Sequence, residues 1–272
     1  AATERFMFVQ RIEGQDLQQL KKGTSDAEKV TVSFYVKGHD SATYVCALYD
    51  VDNDRFVGAT FPVTTSWARQ TITFPADTTG ALGDDNTNDL ELRFILHAGS
   101  NFTSGTLATA WESATVANFA VGINSIFEST SATFFLTGVQ LEVGSVATPF
   151  ESRSYGEELA LCQRYYYELV NGASKTFAMG AYYTSSLITS DVRFPVTMRA
   201  VPTVTVATGS SYYIAYAGGA GDSFDTFTAV QRGTTNGAAL DCSGNGVSGT
   251  QGNGCNLSTS NASAFIVASA EL

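Results

Sequence analysis

Along most of this chain apolar and polar residues alternate with a period of two, and the longer period of a helix surfaces only once. In VTVSFYVKG, Val30, Val32, Phe34 and Val36 share one face while Thr31, Ser33, Tyr35 and Lys37 share the other, the pattern of a half-buried strand. TYVCALYD, ARQTITF, LELRFILHAG and ATFFLTGVQLEVG repeat it, separated by DVDND and LGDDNTND, which supply turn conformations. Strands at this density without helices between them predict an antiparallel sandwich of jelly-roll type over residues 1–153.

The alternation of Val139, Leu141 and Val143 with Gln140 and Glu142 marks the last strand of that sandwich, and Gly144 to Pro149 release the chain from it. Ser154 and Glu157 then stand at capping-box spacing, where each side chain satisfies an orphan amide of a first helical turn. Leu159, Cys162, Tyr166 and Leu169 follow at helical spacing, predicting a three-turn amphipathic helix over 154–170 that connects and docks between two β units.

Beyond it, FAMGAYYTSSLI, DVRFPVTMRAVPTVTVATG, SSYYIAYAGG, SFDTFTAVQRG and SAFIVASAEL read as strands of a smaller β domain over 171–272. Pro195 and Pro202 belong at strand starts or edges, because neither can donate to a ladder. CSGNGVSGTQGNGC reads as a long surface loop, too rich in Gly, Ser and Asn to bury anything. The fold class is therefore all-β: an antiparallel jelly-roll sandwich, a short connecting α-helix and a smaller C-terminal β domain.

Composition narrows the function. Charged residues make up 15% of the 272 positions and the net charge is -11, so the counterion release that drives proteins onto phosphate backbones works against this chain. Nucleic-acid binding is excluded on that ground, as is adhesion to an anionic bilayer. No apolar run approaches the roughly 18 residues of a membrane span, and no basic segment followed by an apolar one opens the sequence, so neither membrane insertion nor a signal peptide is expected.

GTSDAEKVTVSFYVKG, FPADTTGALGDDN, TGVQLEVGSVATPFESRSYGEELALCQRYY, FPVTMRAVPT and the terminal ASAEL together resemble a family of tail-fibre and receptor-binding proteins of tailed bacteriophages. The resemblance covers nearly the whole chain, and GVQLEVG…TPFE…Y…EL…CQRYY is its specific part. It implies a carbohydrate-binding-like jelly roll first and a variable host-facing tip last. It also implies assembly as a homotrimer on the exterior of the virion, in contact with other virion proteins and with host polysaccharide or lipopolysaccharide. The family often carries SFWVK where this chain has SFYVK, and the cysteine-flanked loop near the tip is a further departure. Receptor binding without catalysis is the leading expectation. A purely structural head-fibre or capsid-decoration role is the alternative, and a glycan depolymerase is the third.

Candidate chemistry sharpens this only in places. His39 and His97 have no acid or cysteine at zinc-ligand spacing, and no G-x-S-x-G elbow or Ser-x-x-Lys pair appears. Cys46 and Cys162 read as core thiols. Cys242 and Cys255 flank the glycine-rich loop, where a disulfide closing about a dozen residues contributes on the order of 3 kcal/mol. Asp50, Asp52 and Asp54 stand at alternate positions like the start of a calcium loop, yet Arg55 occupies the place of the loop glycine and the closing Glu is missing. Those three, and Asp84, Asp85 and Asp89, read as hairpin turns, with a structural calcium as the alternative; no other cofactor is expected. Such turns lack the apolar setting that raises one acid of a glycosidase pair. Sugar faces present C–H groups that stack on aromatic rings, which makes Trp67, Trp111, Tyr212, Tyr213 and Tyr216 the glycan-binding candidates; core or trimer packing is the competing role for each.

Overall fold

The computed structural model describes residues 1–272 and is an all-β protein that divides into two compact units, Ala1–Ser152 and Arg153–Glu271. No helix is long and apolar enough to cross a membrane.

The first unit contains β1 (Arg5–Glu13), β2 (Val30–Gly38), β3 (Ala42–Asp50), β4 (Arg55–Val63), β5 (Ala68–Phe74), β6 (Asn88–Ala98), β7 (Glu112–Ser113) and β8 (Phe134–Val143). They form two antiparallel sheets, β1-β6-β3-β4-β7 and β5-β2-β8. Val32, Phe34 and Val36 of β2 meet Cys46, Leu48, Phe61, Leu92 and Phe94 of the larger sheet between them. Phe34 stands edge-on to Phe61 and Phe94, with centroids 5.0 and 4.9 Å away, and burying a ring of this size stabilises by about 1.5–3 kcal/mol. The larger sheet is covered on its other face too. Val45, Ala47, Phe56 and Ile95 pack against Ala108, Phe119 and Ala120 of the segment that follows β6. Two covered faces explain why YVCAL is buried at every position rather than at alternate ones. β1 and β4 were not among the sequence-predicted strands; β4 tolerates Pro62 because its β7 neighbour pairs only with Arg55 and Phe56, leaving an edge there.

The second unit opens with α1 (Tyr155–Gln163), followed by β9 (Tyr166–Asn171), β10 (Thr176–Thr184), β11 (Leu187–Arg193), β12 (Thr203–Val206), β13 (Tyr213–Ala217) and β14 (Ala220–Phe224). β15 (Ala229–Thr234), β16 (Gly237–Ser243), β17 (Gly254–Thr259) and β18 (Phe265–Ser269) complete it. A seven-stranded sheet, β14-β13-β17-β10-β11-β16-β15, and a three-stranded one, β12-β18-β9, enclose a core in which Tyr213 stacks on Phe224 at 5.6 Å and meets Phe227 edge-on at 5.2 Å. Gly218 and Gly219, at φ +58° and +84°, make the two-residue turn between β13 and β14, which demands positive φ at both positions.

Three expectations are corrected here. The helix begins where the capping box places it, with Ser154 Oγ accepting from Glu157 N and Ser154 N donating to Glu157 Oε2 at 3.0 Å. It ends at Gln163, however, and Tyr166 to Asn171 form β9, hydrogen-bonded to β18. Aromatic residues and Val170 favour a pleated surface, and ladder pairing outweighs a stripe that α1 never buries, since none of its residues is buried and Cys162 is exposed. The separate 154–170 segment is thus a helix and a strand of the second unit. FAMGAYYTSSLI, expected as one strand, turns at Ser185–Ser186 into the β10–β11 hairpin. The glycine-rich loop does bury a residue: Val247 joins the core, and Ser248 N donates to Asp222.

Candidate functional site

The site is built on the outer face of the β5-β2-β8 sheet. Register fixes which side chains meet there, because Lys37 pairs with Phe135, Tyr35 with Thr137 and Arg69, and Ser33 with Gln140 and Thr71. Trp67 lies one residue ahead of Ala68, which pairs with Val36, so it continues the Lys37–Phe135 row on the β5 side. Two residues of β8 face one of β2 between the Tyr35 and Ser33 pairs, a bulge that Gly138 enables at φ +59°.

Lys37 carries its ammonium over both rings of the row, 5.9 Å from the Trp67 centroid and 5.3 Å from that of Phe135. The rings themselves are 6.3 Å apart and tilted by 58°. Each is about half exposed, Trp67 at 49% and Phe135 at 47%. With Phe8, Phe134 and Leu136 they line an open cleft of about 440 Å³, and Phe8 and Phe134 stack at its inner end with centroids 6.2 Å apart.

Polar groups border the aromatic row on one side. Arg69 Nη2 donates to Ser33 Oγ at 3.1 Å and to the Thr148 carbonyl. Glu142 accepts from the Thr148 amide and hydroxyl, and these bonds, with the nearby Arg69 charge, hold its carboxyl below the usual range. Phe150 and Tyr35 add two more partly exposed rings. Rings flanked by hydrogen-bonding side chains can stack the C–H face of a ligand and fix its orientation.

Of the residues singled out from sequence, Trp67 belongs to this face and Tyr216 is open on the second unit, at 52% exposure. Tyr216 pairs with Asn256 of β17, which pairs on its other side with the exposed Met179. The other three are corrected. Trp111 is half-buried, its Nε1 donates to the Pro75 carbonyl at 2.9 Å, and it packs on the core. Tyr213 is fully buried, and its hydroxyl donates to the carbonyls of Ala207 and Phe265. Tyr212 is half-buried against the same core. Lys37, Phe135, Phe8 and Phe134 were missed: alternation puts Lys37 on the polar face of its strand, but which neighbours share that face depends on a pairing the sequence does not contain.

The disulfide expectation is also corrected: all four cysteines are free, with Cys242 and Cys255 buried in strands. The carboxylates read as hairpin turns, with calcium as the alternative, take partners within the protein. Asp50 is buried, receives Lys22 Nζ and caps Asn53, while Lys22 and Arg55 both reach Asp77, at 3.0 and 2.7 Å. Burial raises the Asp77 pKa, but hydrogen bonds from Arg55 and Lys22 outweigh it and leave the group lowered. Asp54 accepts from Tyr49, Asp52 from Gly83 N and Asp85 from Thr87, and Asp84 is exposed. No three His, Cys, Asp or Glu side chains form a group able to hold a metal ion. Asp89 differs from the rest. It is fully buried, its Oδ2 has no hydrogen-bond partner, and burial together with the neighbouring Asp52 and Asp85 raises its pKa. His97 Nδ1 shares a 2.7 Å hydrogen bond with Ser125 Oγ, and His39 lines a cavity of about 150 Å³ with Asp40, Tyr44 and Glu128.

No family model and no curated protein matches the chain. Among solved structures, recombinant discoidin II of Dictyostelium discoideum is similar over 90% of this chain and 74% of its own, at 14% identity and a TM-score of 0.20.

Proposed function

We propose that this chain is a glycan-binding fibre subunit on the exterior of a bacteriophage virion, which attaches to host surface polysaccharide without catalysis. The observation that carries the binding is the Trp67–Lys37–Phe135 row, in which two half-exposed rings and a cation share one sheet face beside hydrogen-bonding side chains. Apolar rings left in water at this density mark interaction surfaces. The placement in a phage fibre draws on the resemblance of the GVQLEVG…CQRYY string and its surroundings to that family. Its partners in this reading are two further copies of the chain, neighbouring virion proteins, and host polysaccharide or lipopolysaccharide.

A stacking platform supplies modest affinity per site, and three sites per fibre multiplied over several fibres turn it into firm adsorption. The aromatic face moves the expected contact from the C-terminal tip to the first unit; Tyr216 remains a candidate for a second contact. The deciding experiment compares the protein with Trp67→Ala for binding to host envelope polysaccharide and for competition with phage adsorption. Loss of at least tenfold in binding with an unchanged melting temperature supports the proposal. Equal binding by the two proteins overturns it.

Light scattering tests the assembly: three copies are expected, and a stable monomer overturns that part. The cluster of exposed rings Phe6, Phe8 and Phe127, with centroids 5.6 Å apart along the group, supports contact between copies. Apolar burial there has to outweigh the repulsion of three acidic chains.

A further inference from the structure

The geometry points to an anionic glycan as the ligand of the aromatic face, selected by Lys37; this rests on the glycan-binding reading above. In a chain with 26 acidic and 15 basic side chains, a lysine held in place with no ion pair keeps its charge free for a ligand. Lys37 makes no ion pair, although its ammonium is positioned between two rings on a folded sheet. Arg69, in the next row of the same face, makes none either; its guanidinium donates to a hydroxyl and a carbonyl. The one acid among the strand residues of this face, Glu142, is turned toward the Thr148 amide and hydroxyl. The strands of this face therefore carry two cations against one engaged carboxylate, a local excess of positive charge on a protein whose net charge is -11.

Charge of this kind favours one class of ligand. The cation–ring contacts are worth about 0.5–1 kcal/mol at an exposed site, and they leave all three ammonium protons available to a further acceptor. A pyranose stacked on Trp67 places a ring carboxylate, as in a uronic acid, within reach of an ammonium lying 5.9 Å from the same ring. A charge-assisted bond formed there is about twice as strong as its neutral counterpart. The acidic remainder of the protein does not cancel this, because beyond about 8 Å its field is screened at physiological ionic strength.

The test uses the full-length protein and measures dissociation constants for polygalacturonate, for its carboxyl-reduced neutral form, and for dextran sulfate as a charge-only polyanion. The uronate is expected to bind at least tenfold more tightly than its reduced form. Lys37→Gln should bring the two to the same level, Lys37→Arg should keep most of the preference, and Trp67→Ala should weaken both. Wild-type protein that binds acidic and neutral polymers alike, or a Lys37→Gln variant that keeps the preference, overturns the inference and leaves the glycan reading standing. Binding of dextran sulfate equal to that of the uronate and insensitive to Trp67→Ala also overturns it, in favour of unspecific charge attraction. Absence of binding to these and to a panel of neutral host polysaccharides brings down the inference together with the reading on which it rests.

Discussion

Cys255 on β17 and Cys242 on β16 are separated by two whole strands, because Cys255 pairs with Gly180 of β10, and Cys242 with Ile188 of β11. Three strand spacings of about 4.8 Å put the two backbones roughly 14 Å apart, twice the reach of a disulfide. Burial and the charges of Asp222 and Asp225 push the Cys242 thiol up to about 11. Both thiols should therefore stay unreactive toward an aromatic disulfide reagent in the native protein and react on denaturation, while the exposed Cys162 reacts at once. Peptide mapping without reductant that links Cys242 to Cys255 would falsify the arrangement of these strands.

Ser154→Ala should act locally. The reciprocal bonds between Ser154 and Glu157 close the first turn of a nine-residue helix that buries no side chain, and helices of this length are marginal in water without such help. Losing the cap costs about 1 kcal/mol. Since no core contact is lost with it, the expected readout is faster amide exchange over 155–163 with a nearly unchanged global melting temperature. A large drop in global stability would show that α1 is anchored more firmly than its exposed surface indicates.

Of the three tyrosines proposed from sequence in the second unit, Tyr213 and Tyr216 should separate cleanly. Tyr213→Phe removes a buried hydroxyl that donates to Ala207 and Phe265 and strands the buried Ala207 carbonyl, a loss of about 1–3 kcal/mol. Tyr216→Phe, on the exposed face, should stay within about 0.5 kcal/mol of wild type. Denaturant midpoints measured on both variants decide the matter, and equal effects contradict the placement of Tyr213.

What the sequence made legible follows from the reach of each signal. Alternation in VTVSFYVKG gave the strand and the direction of each side chain, since period two needs no partner to be read, but not that Thr31 and Ser33 of the outer face are buried while Tyr35 stays exposed. The capping box gave the helix start because Ser154 and Glu157 are three residues apart. The helix end was misjudged, because Tyr166 to Asn171 are recruited by β18, about a hundred residues later. Adjacent Tyr212 and Tyr213 were expected on one strand with opposite faces, but β13 starts at Tyr213, and Tyr212 packs half-buried against the same core that encloses Tyr213. Trp67 could be named as a stacking residue from type alone. Its partners Lys37 and Phe135 are brought beside it by pairings over roughly 30 and 100 residues, and a local pattern carries no trace of these.

Asp89 offers a test whose sign depends on pH. Its carboxyl is fully buried, Thr87 donates to Oδ1 at 2.8 Å, and Oδ2 has no partner. A Cβ on Gly14 would stand 2.1 Å from Oδ2, so only a glycine permits so close an approach. Burial, with Asp52 and Asp85 beside it, raises the Asp89 pKa in the folded protein. Below the ordinary aspartate pKa of about 3.9 the group is protonated in both folded and unfolded chains and costs nothing. As pH rises through the folded pKa, the folded protein has to ionise a buried carboxyl near two others, and stability is lost. Asp89→Asn removes that charge and supplies an amide that can donate to either neighbour. The variant should therefore be more stable than wild type at pH 7 by about 1 kcal/mol, or about 2–4 °C for a unit of this size, and the difference should vanish below about pH 4. Melting curves across that range, with chelator and with added calcium, check it. A variant less stable than wild type at pH 7, together with a wild-type melting temperature that falls on chelation, would show instead that the ionised Asp89 is put to use by a bound cation.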